Sequence, residues 1–416
     1  MRLDDYIEIE IDSDESYERR RLAKEKSYEI LDYLTESKNR FEEVEQSGSL
    51  FGSTSPSVFV GRSNYPRVSA GLLSPVAEEE DASEFSESQD WYERGLGIDN
   101  VLQYRTGLLN SDTRLDVEAR GGFVDVQQEV ALADRPVDVE IQLDDTPDFD
   151  VSLDQIATPT GPRATADEAE LTENPHVPRS VEKVFGDDDW KAEDAMTYLY
   201  DKGFDVYEID DILSAGALGQ SDERKLVPTR WSITAVDDAV GSHIRHEIKT
   251  NPSVDSTYVW ENTYMGNRYW VILSPGQWEF ELVEIKSPGS IWNPSPDGDV
   301  YMASAHEGYD GRTTYVDETA GAYYASRIGA LDYLRSVGRQ AKCLVIREVT
   351  DDYWAPVGVW QIRESVRNAF EDESGVAETF PEAIDKVVSR LPVSTDRLRR
   401  KSTMVSGLQT SLDDFF

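Results

Sequence analysis

Acidic charge spread along the whole chain is the feature that most restricts how this sequence can fold. Asp and Glu number 82 against 41 Lys and Arg in 416 residues, a formal charge of −41. In dilute buffer that much like charge opposes compaction, whereas in molar salt the screening length falls to about 3 Å and the repulsion is lost. The pattern is that of a cytosolic protein from a salt-in halophile. Two consequences bear on function. Acidic clusters such as Asp187-Asp188-Asp189 and residues 78–81 read first as solvated surface, not as metal or catalytic sites. Counterion release also contributes little to nucleic-acid binding in such salt, so local relief from acidity is a better sign of a nucleic-acid contact than overall basicity.

Cys343 is the single cysteine, which rules out an intramolecular disulfide and a cysteine-based zinc cluster. It lies in an apolar, strand-like run, 341–349, and reads as buried filler. No stretch reaches the ~18 apolar residues of a membrane span, and residues 1–14 lack a signal-peptide pattern. A cytoplasmic protein with no membrane partner is expected.

The length allows two or three domains. Residues 13–45 are charged and helix-prone, so 1–47 is expected to be an N-terminal helical segment. A Gly/Ser-rich run at 47–55 leads to a short strand at 57–62. Residues 137–143 alternate apolar and polar as a strand does, 144–175 read as a polar loop, and 190–202 as a helix. Val236, Val240, Ile244 and Ile248 recur every four residues and predict a helix, with Thr234 and Asp237 as a capping box before it. Three aromatic and β-branched runs, 256–264, 268–274 and 278–286, are divided by Gly266-Asn267 and Pro275-Gly276 and predict an antiparallel meander. Residues 288–311 are rich in Pro, Gly, Asn and Asp and mark a boundary. Beyond it, helices at 322–337, 360–370 and 383–391 accompany a strand at 343–349. The expected fold is mixed α/β of the α+β class. It comprises a larger N-terminal region with the meander, 48–287, a smaller C-terminal α+β region, 288–395, and a flexible C-terminal tail, 396–416.

That tail ends in Gln409-Thr410-Ser411-Leu412-Asp413-Asp414-Phe415-Phe416, which resembles the sliding-clamp interaction (PIP) motif, Q-x-x-aliphatic-x-x-aromatic-aromatic. A single 3₁₀ turn puts Leu412 and Phe415 on one side, with Phe416 beside them. In complexes of this type the Gln409 amide fills a small polar pocket, while Asp413 and Asp414 stay in solvent. Burying one Leu and two Phe contributes roughly 5 to 9 kcal/mol gross, less the cost of ordering the tail. Micromolar binding to the DNA polymerase sliding clamp, PCNA, is therefore expected. Arg397, Arg399, Arg400 and Lys401 form a basic neck behind the motif. The alternative is a terminus whose two Phe fold back on the domain.

Within the body, Thr229-Arg230-Trp231 runs into the predicted helix, where hydroxyls and free N–H groups suit a phosphate and Arg230 adds a charged fork. The alternative places Arg230 in a salt bridge and Trp231 in the core. Gly61-Arg62 with Tyr65 and Arg67 is a turn carrying two cations and an aromatic, suited to a nucleic-acid backbone or a stacked base, or else to packing of Tyr65 on the core. His243 and His246 share a helix face with Glu247 but match no zinc-protease order and have no evident third ligand. His306, Glu307, Asp310 and Arg312, with Tyr301 and Tyr309, form a polar loop where a general acid or base could sit, although an exposed loop explains them without chemistry. There is no P-loop, no dinucleotide-binding glycine pattern and no nucleophile elbow.

Several of these segments carry a family likeness: 56–62 (PSVFVGR), Tyr65-Pro66-Arg67-Val68 with Gly71, 226–237 (LVPTRWSITAVD), 323–327 (YYASR) and 356–360 (PVGVW). Together they resemble the archaeal Nre family of DNA repair proteins over nearly the whole chain, as an N-terminal region followed by a C-terminal one. The resemblance implies DNA damage repair, with recruitment to the clamp through Gln409, Leu412, Phe415 and Phe416 and with DNA and excision-repair proteins as partners. It assigns no reaction. A repair enzyme, such as a nuclease or nucleotide-modifying transferase with a site near Arg62, Arg230 and His306, and a clamp adaptor that never touches DNA are the alternatives. Many relatives begin with a Cys-rich cluster that looks metal-binding, whereas residues 1–14 here hold no Cys, so no metal or cofactor is expected.

Overall fold

The structure is a computed structural model that describes residues 41, 44, 47–75, 82–85, 88–149, 152–290, 292–295 and 298–407. Nearly all of the expected N-terminal helical segment lies outside them, and so does the whole clamp-type motif, 409–416. Two compact units divide the described residues: those up to Val240 with Ala355–Trp360, and Gly241–Trp354 with those from Gln361 onward. Each unit contains one six-stranded sheet. Among the described residues no helix is long and apolar enough to cross a membrane.

The first unit holds β1 (Ser49–Thr54), β2 (Val58–Val60), β3 (Arg67–Pro75), β4 (Leu108–Asp116), β5 (Val137–Leu143) and β6 (Arg163–Leu171), in the order β1-β5-β6-β4-β3-β2. Pairing is antiparallel except between β4 and β6. The alternation expected at 137–143 is present, with Val137, Val139 and Ile141 buried and the last two in a core shared with Leu50, Leu72 and Leu109. Strand β6 corrects the loop expected at 144–175. Its buried positions are Ala164 and Ala166 and its exposed ones are charged, so the apolar rhythm is faint. Backbone pairing with β5 on one side and β4 on the other makes it a strand.

The described helices between Ser88 and Ile248 are α1 (Ser88–Glu93), α2 (Ile98–Thr106), α3 (Phe123–Leu132), α4 (Arg179–Phe185), α5 (Ala192–Asp201), α6 (Val206–Ser214) and α7 (Thr229–Ile248). The four-residue spacing in α7 is realised, since Val236, Val240, Ile244 and Ile248 are all fully buried. Its start is earlier than expected. The N–H groups of Trp231 and Ser232 donate to the Pro228 carbonyl, and Thr234 lies inside the helix with its hydroxyl 3.3 Å from the Arg230 carbonyl. Thr234 and Asp237 are therefore not a capping box; Pro228, whose fixed φ and missing N–H suit a helix start, takes that position.

In the second unit β7 (Thr257–Tyr264), β8 (Asn267–Ser274), β9 (Glu279–Lys286), β10 (Tyr301–Glu307), β11 (Lys342–Val349) and β12 (Gly375–Ala377) form the order β10-β9-β11-β8-β7-β12. The β7–β8 hairpin is present as expected, but its turn is Met265-Gly266, both in the left-handed region, and Asn267 already belongs to β8. The three-strand meander is not: β11 lies between β8 and β9, antiparallel to the first and parallel to the second. Its six central residues are buried, as in strands covered on both faces, and it completes the hydrogen bonds of both neighbours. The expected boundary at 288 falls in the connection between β9 and β10, which pair with each other. The sheet thus continues across it.

Five helices complete this part of the chain: α8 (Ala320–Ser336), α9 (Trp360–Ala369), α10 (Phe380–Val388), α11 (Thr395–Lys401) and α12 (Thr403–Ser406). The neck expected to begin a flexible tail is helical instead, with Leu398 and Val405 fully buried against Ile272, Val283 and Ile346. Glu281, itself fully buried, caps α12 by accepting from Ser402 Oγ at 2.7 Å and from the Thr403 and Met404 N–H groups at 2.8 Å each. Cys343 is fully buried, as the sequence indicates, and burial pushes its thiol well above the usual range.

Candidate nucleic-acid interface

The β2–β3 connection is a closed loop. Gly61 N–H donates to the Ser69 carbonyl at 2.7 Å and Arg67 N–H to the Asn64 carbonyl at 2.9 Å. Asn64 takes φ 67°, a left-handed turn conformation that Asn tolerates, and Tyr65-Pro66 is cis. Because β2 ends the sheet, its outward N–H groups need partners. Val58 N–H finds Asp211 Oδ1 at 3.0 Å, and Val60 N–H finds Thr229 Oγ1 at 2.9 Å. The second bond fastens the start of α7 beside the loop.

That attachment brings two sequence-distant rings together. Tyr65 and Trp231 lie 5.1 Å apart between centroids, tilted by 56°, and remain 44 % and 43 % exposed. Large aromatics this exposed and paired offer flat faces to a ligand rather than to a core. Beneath them, Val117 N–H donates to the Pro66 carbonyl and Leu226 N–H to the Val117 carbonyl, over a small core of Val60, Val68, Ala70 and Leu226. The converging segments 60–68, 114–120 and 224–231 carry seven basic residues, Arg62, Arg67, Arg114, Arg120, Arg224, Lys225 and Arg230, against Asp116 and Glu118. In a chain with twice as many acids as bases, this is the local relief that a nucleic-acid contact requires.

The six residues singled out from sequence divide into two groups. Arg62, Tyr65, Arg67 and Trp231 are exposed and share this surface. Thr229 and Arg230 are committed to holding it. Thr229 Oγ1 accepts from Val60 and stands 3.0 Å from Ser214 Oγ, which itself reaches the Val227 carbonyl at 2.9 Å. One proton order, from Thr229 to Ser214 to Val227, satisfies all three bonds. Arg230 Nη1 sits 2.7 Å from both carboxylate oxygens of Asp154, the salt-bridge alternative. Asp154, Asp211 and Ser214 carried no local sequence signal, because each acts through a residue far away in the chain.

Elsewhere, His243 pairs with Glu247 at 3.5 Å. His306 and Glu307 end β10 rather than lying in an exposed loop, and this corrects the preferred reading of that segment. Glu307 is 2 % exposed, takes Trp278 Nε1–H at 2.9 Å and forms an ion pair with buried Arg327 at 3.0 Å. Gly241 leaves room for that guanidinium, since a Cβ there would lie 3.0 Å from it. His306 Nε2 is 3.0 Å from Glu279 Oε1, and Lys342 reaches Glu279 Oε2 at 2.9 Å; the His306 bond first, then Lys342, hold the Glu279 carboxyl down to about 2. Asp310 is exposed, and Arg312 donates to the His306 carbonyl.

Family models for the archaeal Nre N-terminal and C-terminal regions match residues 22–293 and 307–415. The chain is 60 % identical to the DNA repair protein NreA of Haloferax volcanii over 421 aligned positions, covering all of both proteins. It is 36 % identical to DNA repair protein NreA of Archaeoglobus fulgidus, over 92 % of this chain and 94 % of that one, and 36 % identical to DNA repair protein NreB of the same organism, over 90 % and 93 %. No solved structure matches. By coverage and identity, this chain belongs to the archaeal Nre family of DNA repair proteins.

Proposed function

We propose that this protein is a DNA repair factor that engages unstacked bases of damaged or branched DNA on Tyr65 and Trp231, and that residues 409–416 bring it to the sliding clamp, PCNA. The observation that carries the DNA half is the exposed ring pair flanked by exposed Arg62, Arg67 and Lys225. Stacking of one base on an aromatic side chain contributes about 1–3 kcal/mol and tolerates any sequence, so it survives the salt that weakens phosphate contacts. Titration of single-stranded and branched DNA in molar potassium salt tests it. Trp231→Ala is expected to weaken binding roughly 5- to 150-fold, and affinity within twofold of wild type would refute the platform.

The clamp half rests on the sequence of the terminal motif. Calorimetry with the cognate clamp at high salt should give micromolar binding that the Phe415→Ala, Phe416→Ala double variant abolishes. Normal binding by that variant would refute recruitment through the motif. A protein that binds the clamp and no DNA at all would be an adaptor.

A further inference from the structure

The second unit carries a cleft of about 630 Å³ beside the edge strand β10. Its lining includes Arg397, Arg400 and Lys401 of α11 together with Pro294, Tyr301 and Met302, and no carboxylate is among the described residues that line it. The three cations are spaced by three and four residues, which puts them on one face of α11. That helix is fixed in place: Leu398 is fully buried, Ser394 caps its first turn, and Ser304 Oγ of β10 donates to the Lys401 carbonyl at 2.9 Å. Arg397 donates to Asp299 Oδ1 at 3.1 Å and to the Val300 carbonyl, while Lys401 pairs with Glu318 at 3.1 Å. Asp299 and Glu318 are 64 % and 52 % exposed, and pairs of that kind contribute little and exchange readily. Arg400 is exposed and has no carboxylate partner among the described residues. Tyr301, also in the lining, pairs in register with Lys286 of β9, whose ammonium lies 5.5 Å from the ring centre.

In a chain of charge −41, three cations gathered in one cleft, two held only by largely exposed carboxylates and Arg400 by none among the described residues, call for an anionic occupant. The cleft opens widely to solvent, and its volume falls in the roughly 300–1,000 Å³ range of small-ligand sites, which suits one or two nucleotide units. Arg forks match phosphate oxygens, and an aromatic side chain suits a base. We infer that this cleft binds a phosphate-bearing nucleotide, with the phosphate on Arg400 and Lys401 and the base against Tyr301. The chemistry is the same whether the nucleotide is free or part of a DNA strand. The site stands independently of the Tyr65–Trp231 platform.

The test uses the full-length protein, its Arg400→Glu and Arg400→Lys variants, and the same Glu change in a Trp231→Ala background. The probes are thymidine monophosphate and an oligothymidylate carrying 4-thiothymidine. Arg400→Glu should weaken binding roughly five- to tenfold in both backgrounds, with Arg400→Lys falling between it and wild type because the charge is kept and the fork is lost. Irradiation should attach the oligonucleotide to the tryptic peptide 287–312, which contains Tyr301 and Met302. Binding of the monophosphate identifies a free nucleotide as occupant; binding of the oligonucleotide alone identifies a strand. Arg400→Glu binding both probes as wild type does, or cross-links confined to other peptides, overturns the inference. An effect of Trp231→Ala without one of Arg400→Glu would leave the platform standing and this site refuted, and the converse pattern would do the reverse.

Discussion

Breaking the Arg230–Asp154 pair separates a holding role for Arg230 from a phosphate-binding one. One guanidinium nitrogen lies 2.7 Å from both Asp154 oxygens, and the two side chains are 26 % and 25 % exposed. Arg230→Ala does not strand the carboxylate, because Asp154 Oδ1 still accepts from Ile156 N–H at 2.7 Å and Ala157 N–H at 3.2 Å. The loss is one charge-assisted bond in a partly wetted, salt-screened setting, about 1–2 kcal/mol. Asp154→Ala removes the loop bonds as well and costs about 2–3 kcal/mol. A double-mutant cycle should give a coupling near 1 kcal/mol. At ~2–4 °C per kcal/mol for a unit of this size, Arg230→Ala should lower the melting temperature by roughly 2–8 °C. Melting at fixed high potassium, with DNA titrations on the same samples, is the assay. An unchanged melting temperature together with DNA binding weakened severalfold would refute the reasoning, because Arg230 would then be serving the ligand and not the fold.

Glu281→Ala should destabilise the second unit by about 2–4 kcal/mol, since three donors lose a buried charged acceptor; hydrogen exchange at the Thr403 and Met404 amides should quicken, and unchanged protection there would contradict the cap. Burial pushes the Asp211 carboxyl up from 3.8 to about 7, against the opposing Val58 N–H bond. The folded protein therefore holds a proton that the unfolded chain has released, so this group's contribution to stability falls as pH rises from about 4 to 7. Asp211→Asn keeps an acceptor for Val58, and its gain in melting temperature should be larger at pH 8 than at pH 5; equal gains would refute the assignment. A thiol reagent should label Cys343 only as fast as the protein unfolds, given its complete burial, and rapid labelling of the native protein would count against the packing of β11.

What could be read in advance was what neighbours in the chain enforce on one another. The alternation at 137–143, the four-residue apolar spacing of α7, and the break at Gly266 between two strand-like runs are short-range patterns, and each marked an element, although the turn itself falls one residue earlier than Gly266-Asn267, at Met265-Gly266. Strand β6 escaped because Ala at its buried positions gives almost no contrast with the charged residues between them. The meander failed for another reason: local pattern marks a strand but not its neighbour, and β11 reaches its place between β8 and β9 only through long-range pairing.

The same division runs through the candidate sites. By itself the sequence determined the chain's charge, its likeness to the Nre family, a C-terminal stretch that resembles the clamp motif, and the residue types from which a candidate nucleic-acid surface could be drawn. Tertiary structure alone decided which of those residues are free. Thr229 and Arg230 are taken up by Val60 and Asp154, the latter 76 positions away, while Tyr65 and Trp231 meet at the surface. A side chain's role depends on whether burial and hydrogen bonding have already used its polar groups, and partners that distant are chosen by packing, which no local pattern encodes.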